Sequence, residues 1–215
     1  MLIRRGHIKR RSGSTCRCNF SQQSHFMESI MNEAAHKPVA ASAARNPGSD
    51  AIELLKSDHR AVEKLFDAFA KTRDDDLEAK GTLAQRTCEE LTVHSIIEEE
   101  ILYPAAHKAL GKHDAIDVNE AFVEHYLVKT LIEKFDSLKP GDKGFDATFK
   151  VMSELVRHHI EEEESTLFPE LRQRGIDLVA LGDKLAARKA ELMKKLEQAG
   201  SKLVGDRSLS FGRPA

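Results

Sequence analysis

The sequence predicts an all-α protein: an antiparallel up-down four-helix bundle with an appended C-terminal helix and a disordered N-terminal arm. Apolar residues recur every three or four positions from residue 50 onward, which is the period of an amphipathic helix. No run shows the two-residue alternation typical of strands. Neighbouring long helices joined by short connections must run antiparallel, because a short connection cannot carry the chain back along the length of the helix it has just left.

Five helices are expected in order, and each has its own start or stop signals. The first begins after Asp50, the expected N-cap, and ends before the acidic run at 74–76. Pro104 interrupts the ladder of the second, and glycines or a Lys-Pro-Gly segment end the second, third and fourth. The second to fifth helices are expected at about 77–110, 115–138, 146–173 and 178–198. The fifth is rich in Lys and Ala, which suggests an appended helix rather than a member of the core.

Outside the helices the composition changes. Residues 1–48 contain Arg, Ser, Gln and Asn without a sustained apolar period, so we expect a disordered basic arm, and residues 200–215 are expected to be a tail. The arm is interpreted as a solvated extension, as a leader upstream of a true start at Met27 or Met31, or as a mitochondrial-type presequence. No aromatic residues interleave with its charges, which disfavours nucleic-acid binding.

Composition excludes several classes of protein. No run approaches the roughly 18 apolar residues of a membrane-spanning helix. The net charge of −2 provides no field that would draw the chain onto nucleic acid or a membrane. Three cysteines cannot form the framework of a disulfide-stapled domain, and Cys88 is interpreted as a small buried residue. We therefore expect a cytoplasmic protein with no nucleic acid or membrane partner.

The apolar stripes of the first four helices are interrupted in one consistent way. Each stripe contains one inward histidine, and in two helices a glutamate follows four residues later on the same face. The segment around His59 recurs 66 residues later and the segment around His94 recurs 65 residues later, so the first two helices resemble a copy of the next two. The candidate metal ligands are His59, His94, Glu98, His125, His159 and Glu163.

A metal pair explains this set better than buried hydrogen bonds between the histidines and glutamates, although that alternative stays open. Unpartnered buried charges would each cost several kcal/mol. Mixed His and carboxylate donors between helices suit two iron ions, with manganese or zinc as alternatives. Such a site would keep open positions for O2, NO or peroxide.

With the Leu-Tyr/Phe-Pro segments that follow Glu98 and Glu163, these residues resemble the hemerythrin-like, or HHE cation-binding, domain over about residues 50–175. The resemblance implies a four-helix bundle with a non-haem di-iron centre held by the six candidate ligands. Oxygen-carrying members have a second histidine on the third helix where this chain has Lys129, which argues against simple oxygen transport.

Neighbouring polar residues receive other interpretations. His158 could replace His159, with Glu162 as its partner, but helical phase favours His159. Glu63 is more simply a surface partner for a nearby cation than a ligand. The remaining glutamates near the motifs are expected on a solvated face: Glu99, Glu100, Glu161, Glu162 and Glu164.

Three functions fit this pattern. The first is a di-iron protein that binds or senses O2, NO or peroxide. The second is an enzyme that disproportionates peroxide or detoxifies NO at the same site, and the third is an iron store or helical interaction module. The sequence does not separate binder from enzyme, because no inward general acid is evident beyond the ligands.

Overall fold

The computed structural model describes residues 50–111 and 116–198, and within these ranges the chain is helical with no strand. The predicted arm at 1–48 and tail at 200–215 lie outside the described residues. None of the described helices is long and apolar enough to span a bilayer. The elements in order are α1 Ala51–Lys71, α2 Leu77–Ile97, π-helical turn π1 Glu98–Leu102, α3 Tyr103–Leu110, α4 Ile116–Phe135, α5 Phe145–Glu162, π-helical turn π2 Glu163–Leu167, α6 Phe168–Gln173 and α7 Leu178–Gln198.

Local signals fix where the helices begin and end. Asp50, Asp76 and Asp177 each accept a hydrogen bond from the backbone N–H three residues later, at 3.0, 3.1 and 2.9 Å. Gly111 follows α3 and Gly175 follows α6, with φ of 80° and 68°. The expected cap at Asp50 is confirmed.

Two π-helical turns lie within the spans that the sequence predicts for the second and fourth helices. In each, the backbone N–H of the following residue binds a carbonyl five positions back: Tyr103 to Glu98, and Phe168 to Glu163. Pro104 and Pro169 come next, and a proline ring clashes with the carbonyl four residues before it in a regular α-helix. The wider turn accommodates the ring and places an extra residue immediately after each inward glutamate.

The core consists of two apolar clusters with a polar layer between them. The first includes Ile52, Leu55 and Phe168, and the second includes Phe66 and Phe149. Along α1, His59 lies between residues of the two clusters, and each of the other three bundle helices places a buried histidine in the same layer. The apolar layers therefore hold four imidazoles at the middle of the bundle.

The C-terminal helix α7 packs against α1 and α2 with a row of buried leucines. These side chains belong to the first apolar cluster, so the expectation that this helix stays out of the core is wrong. Their spacing of four, seven and four residues gives one helical face, while the abundant Lys and Ala residues lie mainly on the others. The buried leucines are Leu181, Leu185, Leu192 and Leu196.

Candidate metal centre

The four inward histidines form two pairs, one from each helical hairpin. In the α1–α2 hairpin, Nε2 of His59 lies 3.2 Å from Nε2 of His94. In the α4–α5 hairpin, Nε2 of His125 lies 3.3 Å from Nε2 of His159. All four rings are buried, so the fold presents two pairs of nitrogen atoms to the interior.

Two buried glutamates connect the pairs. Oε2 of Glu98 lies 3.1 Å from Nε2 of His94 and 3.4 Å from Nε2 of His125. Oε2 of Glu163 lies 3.4 Å from Nε2 of His59 and 3.6 Å from Nε2 of His159. Each carboxylate therefore contacts one imidazole from each hairpin.

The six candidate ligands come together as two overlapping groups whose donor atoms lie within 4.8 Å of one another. His59, His94, Glu98 and Glu163 form the first group, and Glu98, His125 and His159 form the second. Glu98 belongs to both, as expected of a shared ligand. The role of these residues as metal ligands stays a prediction.

Carboxylates behind the imidazoles orient three of the four rings. Because an ionised carboxylate only accepts hydrogen bonds, each contacted Nδ1 carries the proton and each Nε2 directs a lone pair towards the centre. The three contacts are His59 Nδ1 to Glu164 Oε1 at 2.8 Å, His125 Nδ1 to Glu99 Oε1 at 2.9 Å, and His159 Nδ1 to Glu124 Oε2 at 2.8 Å. Facing lone pairs repel unless a cation or a proton lies between them.

Several buried polar atoms in the centre have no hydrogen-bond partner within the described part of the chain. They include both carboxylate oxygens of Glu98 and Oε2 of Glu163. Buried polar atoms are normally satisfied, and unsatisfied ones cost free energy. A bound cation would satisfy these oxygens and the facing nitrogens together, so the residues present fit a metal centre.

The electrostatic field of the centre favours positive charge. Burial alone would lower the pKa of His94, but the negative charges of Glu98 and Asp58 raise it to about 10. The pKa of His159 is also raised, by Glu163 and Glu124, against the effect of burial. Burial opposes ionisation of Glu98, yet the adjacent imidazoles hold the pKa of this carboxyl well below its usual range.

The alternative ligands suggested by the sequence lie elsewhere. His158 is 60% exposed and contacts Glu162 at 3.2 Å, whereas His159 points inward. Glu63 lies near the surface beside Arg60, with its carboxylate 2.7 Å from the guanidinium. These side chains do not face the centre.

Two glutamates expected on a solvated face instead support the histidines. Glu99 and Glu164 follow the two inward glutamates directly, and each accepts the hydrogen bond from an Nδ1 described above. Their positions follow from the π-helical turns, since the extra residue in each turn shifts the helical phase. Lys129 lies 2.5 Å from Glu99 and so contacts this supporting carboxylate. The assignment of Glu99 and Glu164 to solvent is therefore wrong.

Tyr103 is a polar residue of the centre that the sequence interpretation missed. It is fully buried, and its hydroxyl donates to Glu163 Oε1 at 3.0 Å and lies 3.3 Å from His125 Nε2. Burial and the charges of Glu163 and Glu98 raise its pKa well above the usual value, so it keeps its proton. The matching residue of the repeat is Phe168, and this Tyr/Phe difference was the available signal. The sequence showed no inward general acid beyond the ligands, and Tyr103 is an inward group with a proton that this interpretation overlooked.

A small cavity lies beside the imidazoles. Its volume of about 20 Å³ holds roughly one water-sized molecule. The four histidines line it together with an apolar wall from the second cluster: Val62, Leu91, Val128, Val156 and Ile160. Space next to the centre is therefore limited to small molecules.

Comparison with known proteins agrees with this architecture. Residues 50–171 match the model of the hemerythrin HHE cation binding domain. A protein of Nostoc sp. named DNA nickase is 29% identical over 122 residues, which are 56% of this chain and 33% of that protein. An uncharacterized hemerythrin-like protein of Schizosaccharomyces pombe is 30% identical over 121 residues, 56% of this chain and 59% of that protein.

One solved structure shares the fold. The crystal structure of a hemerythrin HHE cation binding domain-containing protein from Mycobacterium kansasii superposes with a TM-score of 0.61 at 24% identity, covering 74% of this chain and 99% of that chain. The two sequence relatives, in contrast, are matched over less than two thirds of their own length. With more than half of its residues matched by the domain model, and with histidines and glutamates clustered inside a helical bundle, the chain belongs to the hemerythrin HHE cation-binding family.

Proposed function

We propose that the centre holds two iron ions and that the chain uses them to bind or sense O2, NO or peroxide. The observation that carries this proposal is the sharing of Glu98 and Glu163, each of which contacts imidazoles from both hairpins. Two nitrogen pairs joined by two carboxylates supply donors for two cations. Mixed imidazole and carboxylate donors suit iron, with manganese and zinc as alternatives.

Iron in such a site supplies a redox-active centre with open positions for a small ligand. The chain prepares the site through its own hydrogen bonds. The carboxylates behind the rings keep Nε2 lone pairs directed inward, and Glu98 and Glu163 offset the charge of the cations. Tyr103 holds a proton at Glu163 Oε1, where its counterpart in the repeat, Phe168, has no hydroxyl.

The cavity supports a diatomic or peroxide ligand. It has room for about one water-sized molecule. Besides the imidazoles, five apolar side chains line it, together with the polar residues Asp58, Glu90 and Ser95. Val128 and Val156 line the same cavity as the four imidazoles. This restriction in size agrees with O2, NO or peroxide as the ligand.

Elemental analysis and visible spectroscopy test this function. Protein purified from iron-supplied cells is expected to contain two irons per chain, and adding O2, NO or peroxide in turn should give a stoichiometric and reversible spectral change with at least one of them. Protein stripped of metal by a chelator is the control and should give no change. Absence of iron, or a loaded protein that responds to none of the three, contradicts the proposal.

A second candidate function is an enzyme that disproportionates peroxide, and the hydroxyl of Tyr103 favours it. This buried hydroxyl, next to the candidate ligands, offers peroxide a hydrogen-bonding group at the centre. Steady O2 release from peroxide by the loaded protein, reduced in Tyr103→Phe, would support the enzyme. A single stoichiometric spectral change without turnover would support the binder.

A further inference from the structure

The C-terminal helix α7 reaches the polar layer of the bundle from outside the segment matched by the family model. That match ends at residue 171, whereas α7 spans Leu178–Gln198. Leu185 and Leu192 bury α7 in the first apolar cluster. Arg188 forms two hydrogen bonds with Glu100 of π1, at 2.7 and 3.0 Å. The helix is therefore anchored next to the turn that presents Glu98.

Lys189 of α7 contacts a carboxylate that faces one of the candidate ligands. Its Nζ lies 2.5 Å from Oδ1 of Asp58. The other oxygen, Oδ2, is buried and lies 3.7 Å from Nδ1 of His94. Among the described residues neither Oδ2 of Asp58 nor Nδ1 of His94 has a hydrogen-bond partner, and Lys189 supplies the hydrogen bond that fixes the other oxygen of this carboxylate.

At the corresponding position of the other hairpin, the carboxylate is held differently. The residue that matches Asp58 is Glu124, which accepts directly from Nδ1 of His159 at 2.8 Å. Its neighbour on the outer side is His158, whose ring is mostly exposed. Glu124 orients its histidine with a direct hydrogen bond, whereas Asp58 lies 3.7 Å from its histidine and contacts a lysine from α7.

We propose that α7 contributes to cation binding at the metal centre through Lys189. Lys189 is a positioning residue that fixes Asp58 against His94. Docking of α7 on the bundle is thereby coupled to binding of a cation by His59 and His94. This inference rests on the proposed function, because it requires that the centre binds cations. Residues that orient metal-binding histidines typically change metal affinity by about 10- to 100-fold when they are mutated. Since coupling is reciprocal, a bound cation must also stabilise the docked state of α7.

Iron titration of four proteins tests the effect on affinity. Fe²⁺ is added anaerobically against a competing chelator to the wild type, Lys189→Met, Lys189→Arg and Lys194→Met. Lys189→Met should weaken binding of one of the two ions by about 10- to 100-fold and leave the other nearly unchanged. Lys189→Arg should keep most of the affinity, because it retains the charge at Asp58.

Lys194→Met removes the same charge from an exposed position on the same helix and should bind as the wild type does. Unchanged or tighter binding in Lys189→Met overturns the inference, because loss of a positive charge alone would favour a cation. If the wild type itself fails to bind two irons, it is the proposed function that fails. Far-UV circular dichroism confirms that each variant is folded.

Hydrogen exchange measures the reciprocal effect on α7. In the wild type, loading with iron should slow exchange of the α7 amides, whereas in Lys189→Met the slowing should be much smaller. Equal exchange of α7 with and without iron, in a wild type that binds both ions, would show that the helix is a passive cover.

Discussion

The α1–α2 and α4–α5 hairpins place corresponding atoms around the centre. His59 corresponds to His125 and His94 to His159, and each hairpin is followed by a π-helical turn that begins with an inward glutamate. The carboxylates behind the rings correspond as well: the glutamate after each inward glutamate supports a histidine of the opposite hairpin. The repeat therefore extends to the hydrogen bonds that orient the donors.

The two halves differ in what surrounds these donors. Tyr103 donates a hydrogen bond into the centre, whereas its counterpart Phe168 stacks on the ring of His59 with centroids 5.8 Å apart. Helix α7 covers the first hairpin and places Lys189 on Asp58, while Glu124 of the second hairpin faces the exposed His158. Equivalent donor atoms of the two hairpins thus have different neighbouring charges and hydrogen bonds. Two cations bound here would therefore be inequivalent.

The largest expected effect comes from removing a donor that both halves share. Glu98→Ala should abolish binding of both irons, because Glu98 contacts a histidine of each hairpin. Iron should raise the melting temperature of the wild type but not of this variant, since ligand at about 100 times its Kd stabilises by roughly 2.7 kcal/mol. Glu161→Ala, at an exposed position nearby, is the matched control. Retention of both irons in Glu98→Ala would refute the shared role.

A smaller effect is expected from removing a donor that belongs to one half. His94→Ala and His159→Ala should each lose the iron of their own hairpin and keep the other, because Glu98 and Glu163 still serve the remaining pair. Elemental analysis gives the stoichiometry, with His158→Ala as the control that keeps both ions. Loss of both irons in one variant but not in the other would show that one half must fill first.

The hydroxyl of Tyr103, which Phe168 lacks in the other hairpin, is expected to contribute to the stability of the metal-free protein. Tyr103→Phe leaves Glu163 Oε1 without its donor and should destabilise the metal-free protein by about 1–3 kcal/mol in urea unfolding. Tyr126→Phe is a close control, because the chain has only two tyrosines and Tyr126 is 67% exposed. Its effect should stay within about 0.5 kcal/mol. Equal stability of the two variants would mean that the hydroxyl of Tyr103 contributes nothing.

Much of the fold was predictable because its signals are local. Apolar periodicity, the cap at Asp50 and the interrupting Pro104 are all confirmed. The contribution of α7 to the core was missed, because its few leucines are spaced among many Lys and Ala residues over the same 21 positions. Family membership was also predictable, because the duplicated His and Glu spacing is specific.

The surroundings of the site were less predictable, for a physical reason in each case. The positions of Glu99 and Glu164 depend on a change of helical phase at the π-helical turns, which regular periodicity does not show. Tyr103 is buried at a position where the apolar periodicity requires only an aromatic ring, so the sequence gives no sign that its hydroxyl has a polar partner. Lys189 and Asp58 are 131 residues apart and meet only through tertiary packing. The cytoplasmic location and the absence of a nucleic-acid partner stay predictions.

The smallest expected effect lies away from the centre and appears only at high pH. Cys88 is buried in the second cluster, where burial raises the pKa of its thiol from an ordinary 9.0 to about 12. Above pH 9 the unfolded chain releases this proton and the folded chain keeps it, so stability falls as pH rises, by about 1.4 kcal/mol per pH unit at most. At neutral pH the group contributes no such dependence.

Urea unfolding between pH 8 and 10.5 measures this dependence. The wild type should lose stability more steeply than Cys88→Ala, which lacks the titrating group but shares all other contributions. The equivalent residue of the second hairpin is Ser153, whose hydroxyl donates to the carbonyl of Lys150 at 2.7 Å and does not titrate in this range. Parallel pH profiles for wild type and Cys88→Ala would show that the thiol reaches solvent. The apolar cluster around Cys88 would then be more accessible to water than the burial of its side chains indicates.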